Sequence, residues 1–268
     1  MIDFHNHILP KIDDGACSIE ESLKMIKCAA EQGIEDIVNT VHFQHPKVEG
    51  FNITYNRISN EVSKLQKILN HKKIPIKIHI GSEVFYLPNL LDIIENPLAT
   101  IGQGNYMLIE FPVDNLPESH RKVLFDLKMK GVTPIIAHPE RYKNVQDNIN
   151  IVYDWLQSGC LIQVTAASIL GKMGKHAEVA SKTIIKQNWC QILGSDAHNA
   201  ERRNFSLKSA LITAEEISGN DLNSLVYENP KCVIDGKKIN TDKIENKIEL
   251  KSYFWNKFLP VRKKRVKL

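Results

Sequence analysis

The sequence predicts a single α/β domain in which seven parallel strands alternate with helices and curve into a barrel. The chain has 268 residues, 43% of them hydrophobic, which suits one large core and is short for two ordinary domains. Short runs rich in β-branched residues alternate with longer segments of helical periodicity, the pattern of repeated βα units. No repeat, linker or shift in composition interrupts this pattern before residue 257.

The strands are predicted from seven short apolar runs, each followed by turn or polar residues. These runs are residues 2–5, 36–40, 76–80, 106–111, 133–137, 161–164 and 191–193. The helix after the first run is expected to begin at Ser18, with Glu21 in the capping-box position, and to end at Gly33. Gly131 and Gly159 likewise end the helical segments that precede the fifth and sixth runs.

Charge and cysteine content exclude several classes of protein. The net charge is +4, but residues 257–268 carry six basic side chains, and taking these six away leaves −2. The body of the protein therefore lacks the excess of basic residues expected of a nucleic-acid-binding fold. Five scattered cysteines without a C-x-x-C pair suggest neither a disulfide framework nor a thiolate zinc site. Without an apolar run of membrane-spanning length or a signal peptide, a cytoplasmic protein is expected.

Six of the seven runs lead into side chains that can bind metal ions. The carboxyl ends of all strands in a parallel barrel open at one face, so these side chains are expected to converge there. A single member has an ordinary explanation as a structural histidine, a surface carboxylate or a helix cap, but six matching positions favour a metal cluster. Its members are His5 and His7, His42, Glu83, Glu110, His138, and Asp196 with His198. Imidazole and carboxylate ligands without cysteine suit manganese, zinc or iron, with manganese the first choice.

Other charged residues lie near the same strand ends. The segment Asp13-Asp14-Gly15 could supply a further carboxylate ligand or could simply form a turn. Arg141 follows His138 by three residues, and Arg202 and Arg203 both follow Asp196 closely. Spacing alone does not decide which of these two arginines belongs to the site. Arginine matches the geometry of phosphate oxygens, although a salt bridge to the carboxylates of the cluster is the alternative.

Five segments together resemble the PHP (polymerase and histidinol phosphatase) superfamily and, more narrowly, the bacterial capsule-type protein-tyrosine phosphatases of the CpsB/YwqE type. They are MIDFHNHILPKIDDG, TVHF, GSEV, AHPERY and GSDAH. The resemblance implies a distorted seven-stranded (βα)7 TIM-like barrel over residues 1–256, followed by a basic tail at 257–268 that the family does not explain. It also implies three metal ions. His5, His7, Glu83 and Asp196 would bind the first metal; Glu83, Glu110 and His138 the second; Asp14, His42 and His198 the third.

The same resemblance implies that Arg141 and Arg203 bind phosphate and that a hydroxide activated by the metals attacks it. The implied substrate is a tyrosine-phosphorylated protein, namely the tail of a membrane-associated bacterial tyrosine kinase that controls capsule or exopolysaccharide synthesis.

No cysteine has an arginine six residues later, which excludes the thiolate chemistry of cysteine-based phosphatases. Two alternatives remain, a small-molecule phosphatase such as histidinol-phosphate phosphatase and a non-catalytic module that docks a phosphorylated partner. The basic tail suggests a further hypothesis, peripheral contact with anionic membrane lipid.

Overall fold

The structure is a computed structural model that describes residues 1–241. Seven parallel strands form one sheet in the order of the sequence, as the alternating runs predict. They are β1 (Ile2–Asp3), β2 (Asp36–Phe43), β3 (Lys77–Phe85), β4 (Tyr106–Glu110), β5 (Thr133–Ala137), β6 (Leu161–Thr165) and β7 (Ile192–Gly194). The predicted basic tail lies outside the described residues.

Helices follow the strands around the outside of the sheet. They are α1 (Ile19–Glu31), α2 (Tyr55–His71), α3 (His120–Met129), α4 (Lys143–Asp147), α5 (Asn150–Gln157), α6 (Ala166–Ile169), α7 (Lys175–Lys186), α8 (Leu207–Ser218) and α9 (Glu228–Ile234). Helix α1 begins as predicted, since the Ser18 hydroxyl accepts a hydrogen bond from the backbone N–H of Glu21. The Glu21 carboxylate accepts from the N–H of Cys17 instead of completing the capping box at Ser18. Among the described helices, none has the length and apolar composition needed to span a membrane.

The segments after the first and last strands meet at the carboxyl ends of the strands, and this contact closes the barrel there. Asn6 and Ala197 form a parallel bridge, and the N–H of Asp196 donates to the carbonyl of His5 at 2.7 Å. The buried Asp3 carboxylate adds a second link, because it accepts hydrogen bonds from the N–H groups of both His5 and Ser195. Barrel closure and the candidate site therefore depend on the same short segments.

Two hydrophobic cores hold the barrel together. The larger core joins the helices to the outer face of the sheet and includes the stacked rings of Phe111 and Trp155. The smaller core fills the barrel interior with residues such as Leu108 of β4 and Phe4, which follows β1, and it includes Val233 of α9. Helix α9 thus covers the end at which the strands begin, while the opposite end stays open for polar side chains.

Strand limits differ from the prediction in a way that concerns the site. Strand β1 ends at Asp3, so His5 and His7 follow it, whereas β2 and β3 extend beyond the predicted residue 40 and residue 80. His42 and Glu83 face each other within these strands, in continuous parallel register. The apolar runs ended before the strands did, because polar side chains that face the site, His42 and Glu83, lie within the last part of each strand.

Candidate metal centre

The open end of the barrel holds a group of titratable side chains that we call the cluster. It contains every metal ligand expected from the sequence, and their ligand atoms form overlapping groups within 4.8 Å. Eight of its nine members are buried, and Asp14 is the more accessible one. The members are His5, His7, Asp14, His42, Glu83, Glu110, His138, Asp196 and His198.

Glu83 lies at the centre of the cluster, surrounded by four histidines. Its Oε2 atom is 3.2 Å from Nε2 of His5, 3.5 Å from Nε2 of His7 and 3.2 Å from Nδ1 of His42. Its Oε1 atom is 2.7 Å from Nε2 of His138. One carboxylate with both oxygens facing different sets of imidazoles has the geometry of a bridging ligand.

A second part of the cluster is built around Asp14 at its outer edge. The Oδ1 atom of Asp14 is 3.2 Å from Nε2 of His42 and 3.4 Å from Nε2 of His198. His7 belongs to this group as well, and its ring centroid lies 4.0 Å from that of His198, with the two rings tilted by 40°. The group of Asp14, His42 and His198 expected from the resemblance is therefore together in space, with His7 as an additional neighbour.

Two buried residues hold the histidines in a defined orientation. Asp13 Oδ2 lies 2.8 Å from Nδ1 of His7 and also accepts from the N–H of His42 at 3.1 Å. Gln163 Oε1 lies 2.9 Å from Nδ1 of His5. Since each Nδ1 faces an oxygen acceptor, it carries the proton, and the Nε2 lone pair points into the cluster.

Two glycines permit these close approaches. A Cβ atom on Gly15 would lie 2.1 Å from the carbonyl oxygen of His7. A Cβ atom on Gly194 would lie 2.7 Å from Cβ of His5 and 2.9 Å from Nε2 of Gln163. The segment Asp13-Asp14-Gly15 is therefore more than a turn, because Asp13 points inward to His7 while Asp14 faces the outer edge.

The electrostatics of the cluster require compensating positive charge. Burial lowers the pKa of His5 and His42, but the nearby Glu83 carboxylate outweighs burial and raises the pKa values to about 9 and about 11. Burial and the charge of Glu83 raise the pKa of Glu110. Closely spaced carboxylates thus attract protons to the histidines, and divalent cations would displace those protons when they bind.

The residues fit a cluster of bound cations. Among the described residues, Nε2 of His5, Nε2 of His7, both ring nitrogens of His42 and Oε2 of Glu110 are buried without a hydrogen-bond partner. Buried polar atoms are normally satisfied, and leaving them unpaired costs free energy. Imidazole nitrogens and carboxylate oxygens that converge in this way are the donor set of a transition-metal site.

Two arginines flank the cluster, and both contact Asp196. Nη1 of Arg141 and Nη2 of Arg203 each lie 2.7 Å from the same oxygen, Oδ2 of Asp196. Their side chains remain 21% and 31% exposed, so both arginines stay partly accessible beside the cluster. The salt bridges to Asp196 that the sequence left as an alternative are therefore present. Arg202 is exposed and takes no part in this arrangement.

Sequence reasoning missed two residues at this face, Gln163 and His45, and it missed the role of Asp13 in orienting His7. Gln163 lies on β6, the one strand without an expected ligand, and its only signal is a polar residue within a buried strand. His45 follows His42 by three residues, and its Nε2 lies 3.5 Å from Oε2 of Glu110. Burial and the charge of His42 lower its pKa to about 4.

Comparisons with known proteins agree on one family. The family model described as capsular polysaccharide synthesis, CpsB/CapC, matches residues 1–235. Tyrosine-protein phosphatase YwqE of Bacillus subtilis is 32% identical over 240 residues, which are 89% of this chain and 93% of that protein. The putative tyrosine-protein phosphatase CapC of Staphylococcus aureus is 34% identical over 216 residues, which are 78% of this chain and 81% of that protein.

Solved structures give the same result. The crystal structures of YwqE from Bacillus subtilis and CpsB from Streptococcus pneumoniae are described as unique metal-dependent tyrosine phosphatases. One of these chains matches with a TM-score of 0.86 at 30% identity, over 93% of this chain and 100% of that chain. A histidinol phosphate phosphatase from Lactococcus lactis matches with a TM-score of 0.52 at 16% identity, over 81% of this chain and 92% of that chain. At that identity the second likeness shows a common fold alone.

Proposed function

This chain belongs to the CpsB/CapC family of capsular polysaccharide synthesis proteins, and we propose that it is a metal-dependent protein-tyrosine phosphatase. The observation that carries the proposal is the contact of Glu83 with four buried histidines, next to two arginines paired with Asp196. Such a centre can bind cations and a phosphoryl group side by side. The resemblance noted from the sequence is confirmed at the level of the family.

The proposed ligands are those expected from the sequence, with three divalent cations and manganese as the physiological metal. Glu83 would be a ligand at two of the sites, and the converging Nε2 atoms of His5 and His7 support the first site. The Asp14, His42 and His198 group supports the third. Zinc or iron would suit the same donors, so the choice of manganese is tested by metal restoration.

When bound, the cations supply Lewis acidity, which activates water and polarises the phosphoryl group. The protein's own residues bind and orient the ester. Arg141 and Arg203, fixed by Asp196, donate hydrogen bonds to phosphoryl oxygens and stabilise the charge that develops on them. Asp13 and Gln163 keep the imidazoles of His7 and His5 in the tautomer that can bind metal. No covalent phosphoenzyme is needed.

The proposed substrate is a tyrosine-phosphorylated protein, and in particular the tail of a membrane-associated bacterial tyrosine kinase that controls capsule or exopolysaccharide synthesis. Curated relatives named as tyrosine-protein phosphatases support the substrate class. Tyrosine is a suitable leaving group because its phenol has a pKa of about 10, far below that of an alkyl alcohol. The proposal includes a cytoplasmic location and a single domain over residues 1–256.

A small-molecule phosphatase such as a histidinol-phosphate phosphatase remains the second candidate. The fold likeness to such an enzyme supports it, although low identity limits that support to the architecture. Substrate competition distinguishes the two, because a site selective for phosphotyrosine discriminates strongly against an alkyl phosphate.

The test is phosphate release from a phosphotyrosine peptide and from histidinol phosphate by chelator-stripped protein with manganese, zinc or iron restored. We expect turnover of the peptide, restored best by manganese.

Arg203→Ala is expected to lower kcat/KM by about 100-fold, the loss typical of removing one charge-stabilising donor. Arg202→Ala is the matched control and should retain wild-type activity. Turnover of histidinol phosphate alone would overturn the proposal in favour of the second candidate, and binding without release would favour a docking module.

A further inference from the structure

His45 lies at the opening of the metal centre without belonging to the expected ligands. It follows β2 after Gln44, whose φ of 59° turns the chain, and it caps the short 3-10 helix Pro46–Val48. Its side chain is 12% exposed, so the imidazole borders both the buried cluster and the solvent. A residue at this boundary can reach a bound substrate.

The backbone fixes which nitrogen of His45 carries the proton. The N–H of Lys47 donates a hydrogen bond to Nδ1 of His45 at 2.9 Å, so Nδ1 uses its lone pair as an acceptor. The proton of the neutral ring is therefore on Nε2, which points toward Oε2 of Glu110 at 3.5 Å. His45 presents a donor to the site and not a lone pair.

This tautomer is opposite to that of three of the metal-binding candidates. Nδ1 faces an oxygen acceptor in His5, His7 and His198, namely Gln163 Oε1, Asp13 Oδ2 and the Asp196 carbonyl, at 2.8 to 2.9 Å. Those histidines keep the Nε2 lone pair for a cation, whereas a ring protonated at Nε2 cannot bind a cation through that atom. The hydrogen bonds thus distinguish His45 from these three ligand candidates.

Neighbouring rings hold His45 in place on the side of the opening away from the arginines. Its ring packs at 4.6 Å from His42 and edge-on at 4.5 Å from Phe85 at the end of β3. Arg141 and Arg203 approach from the ends of β5 and β7 instead. A phosphoryl group held by the arginines would therefore have His45 and Phe85 on its other side.

We propose that His45 is a further catalytic residue that donates a hydrogen bond from Nε2 to the ester oxygen of a phosphotyrosyl substrate. The inference rests on the phosphatase function proposed above. In the step, a water oxygen bonds to phosphorus and the water proton passes to solvent, while the bond between phosphorus and the phenolic oxygen breaks and its electron pair stays on that oxygen. His45 stabilises the phenolate but keeps its proton, and solvent protonates the product.

A comparison of leaving groups tests this role in the manganese-loaded full-length protein. His45→Ala should lower kcat/KM about 100-fold for a phosphotyrosine peptide and for phenyl phosphate. Their phenolate leaving groups are the more basic ones and are therefore stabilised most by a hydrogen-bond donor. For 4-nitrophenyl phosphate, which has a more stable phenolate, the loss should be under about tenfold because less charge needs stabilising. His45→Gln should recover part of the activity, since its carboxamide can donate a hydrogen bond.

Two controls separate this role from a structural one. Manganese content, measured by elemental analysis, should be unchanged in His45→Ala, whereas loss of metal would identify His45 as a ligand and overturn the proposal. His79→Ala removes a histidine that pairs with Asp36 at the opposite ends of the strands and should leave the leaving-group dependence unaltered. An equal loss for all three substrates, or no loss, would also overturn the proposal. Wild-type protein that turns over none of them would instead refute the phosphatase function, and the role of His45 with it.

Discussion

Asp13 illustrates how a single side chain organises the centre without being an expected ligand. One oxygen contacts Nδ1 of His7 and the N–H of His42, and the other accepts from the N–H of Gly15. It therefore connects the segment after β1 to the end of β2. Its pKa is lowered, since the charge of His7 outweighs the effect of burial, so it stays ionised and keeps the proton on Nδ1 of His7.

We predict that Asp13→Asn weakens manganese binding about 10- to 100-fold, the usual effect of losing a partner that orients a ligand. The neutral amide no longer favours the Nδ1 proton of His7 or raises its basicity. Calorimetric titration of the chelator-stripped protein with manganese measures the change. Asp114→Asn, at an exposed residue that pairs with Lys143, serves as the control. Equal affinity of Asp13→Asn and wild type would contradict the orienting role.

At the scale of elements, the 3-10 helix Pro139–Arg141 after β5 carries the arginine to the site. Its middle residue, Glu140, is fully buried, and its carboxylate accepts a hydrogen bond from the N–H of Thr165 at the end of β6. Its carbonyl accepts from Gln146 of α4. These bonds tie the segment to neighbouring elements and fix the direction of Arg141. Burial raises the pKa of Glu140 to about 7.

The raised pKa of Glu140 predicts a dependence of stability on pH. Between the unfolded pKa of about 4.5 and the folded pKa of about 7, the folded protein holds the proton more tightly. The contribution of this group to stability is therefore complete below pH 4.5 and is lost as pH rises through 7.

Glu140→Gln should remove this contribution while keeping the acceptor for Thr165. Wild type should then lose more unfolding free energy between pH 5 and pH 8 than the variant, by an amount on the order of 1–3 kcal/mol. Urea unfolding at both pH values, at one manganese concentration, measures the difference. Glu118→Gln at an exposed site is the control, and parallel pH profiles for wild type and Glu140→Gln would contradict the prediction.

At the scale of the whole molecule, the centre and the closure of the barrel are one structure. Side chains from six strand ends meet at the cluster, and hydrogen bonds of His5 and His7 with Asp196 and Ala197 join the first strand to the last. Cations bound here would link segments that lie far apart in the sequence. Metal binding should therefore stabilise the entire fold as well as support the reaction.

We predict that removal of metal by a chelator lowers the melting temperature by about 5–10 °C and that manganese restores it. Ligand at 100 times its Kd stabilises a protein by about 2.7 kcal/mol, and each kcal/mol corresponds to about 2–4 °C for a domain of this size. Thermal unfolding with and without the chelator measures the change. The melting temperature of Glu83→Gln should depend less on metal. A wild-type melting temperature that changes with neither the chelator nor manganese would refute the coupling.

The fold was predictable from local patterns. Alternating apolar runs and helical segments gave seven strands in sequential order, and Ser18 and Gly33 marked the two ends of α1. Convergence of the expected ligands also followed from the sequence, because parallel strands in a barrel end at one face. Their assignment to individual cations remains a prediction.

Finer features of the site depended on contacts between distant parts of the chain. His5 and Gln163 are separated by 158 positions, and the pattern around either residue does not reveal their hydrogen bond. The choice of Arg203 over Arg202, which the sequence made only by resemblance, depends on how Asn199 folds its loop. Periodicity determines which residues face the open end of the barrel, since it reports burial along one element. Only the tertiary structure decides which nitrogen of His5 carries a proton, because Gln163, the partner that holds that proton, lies on a distant strand.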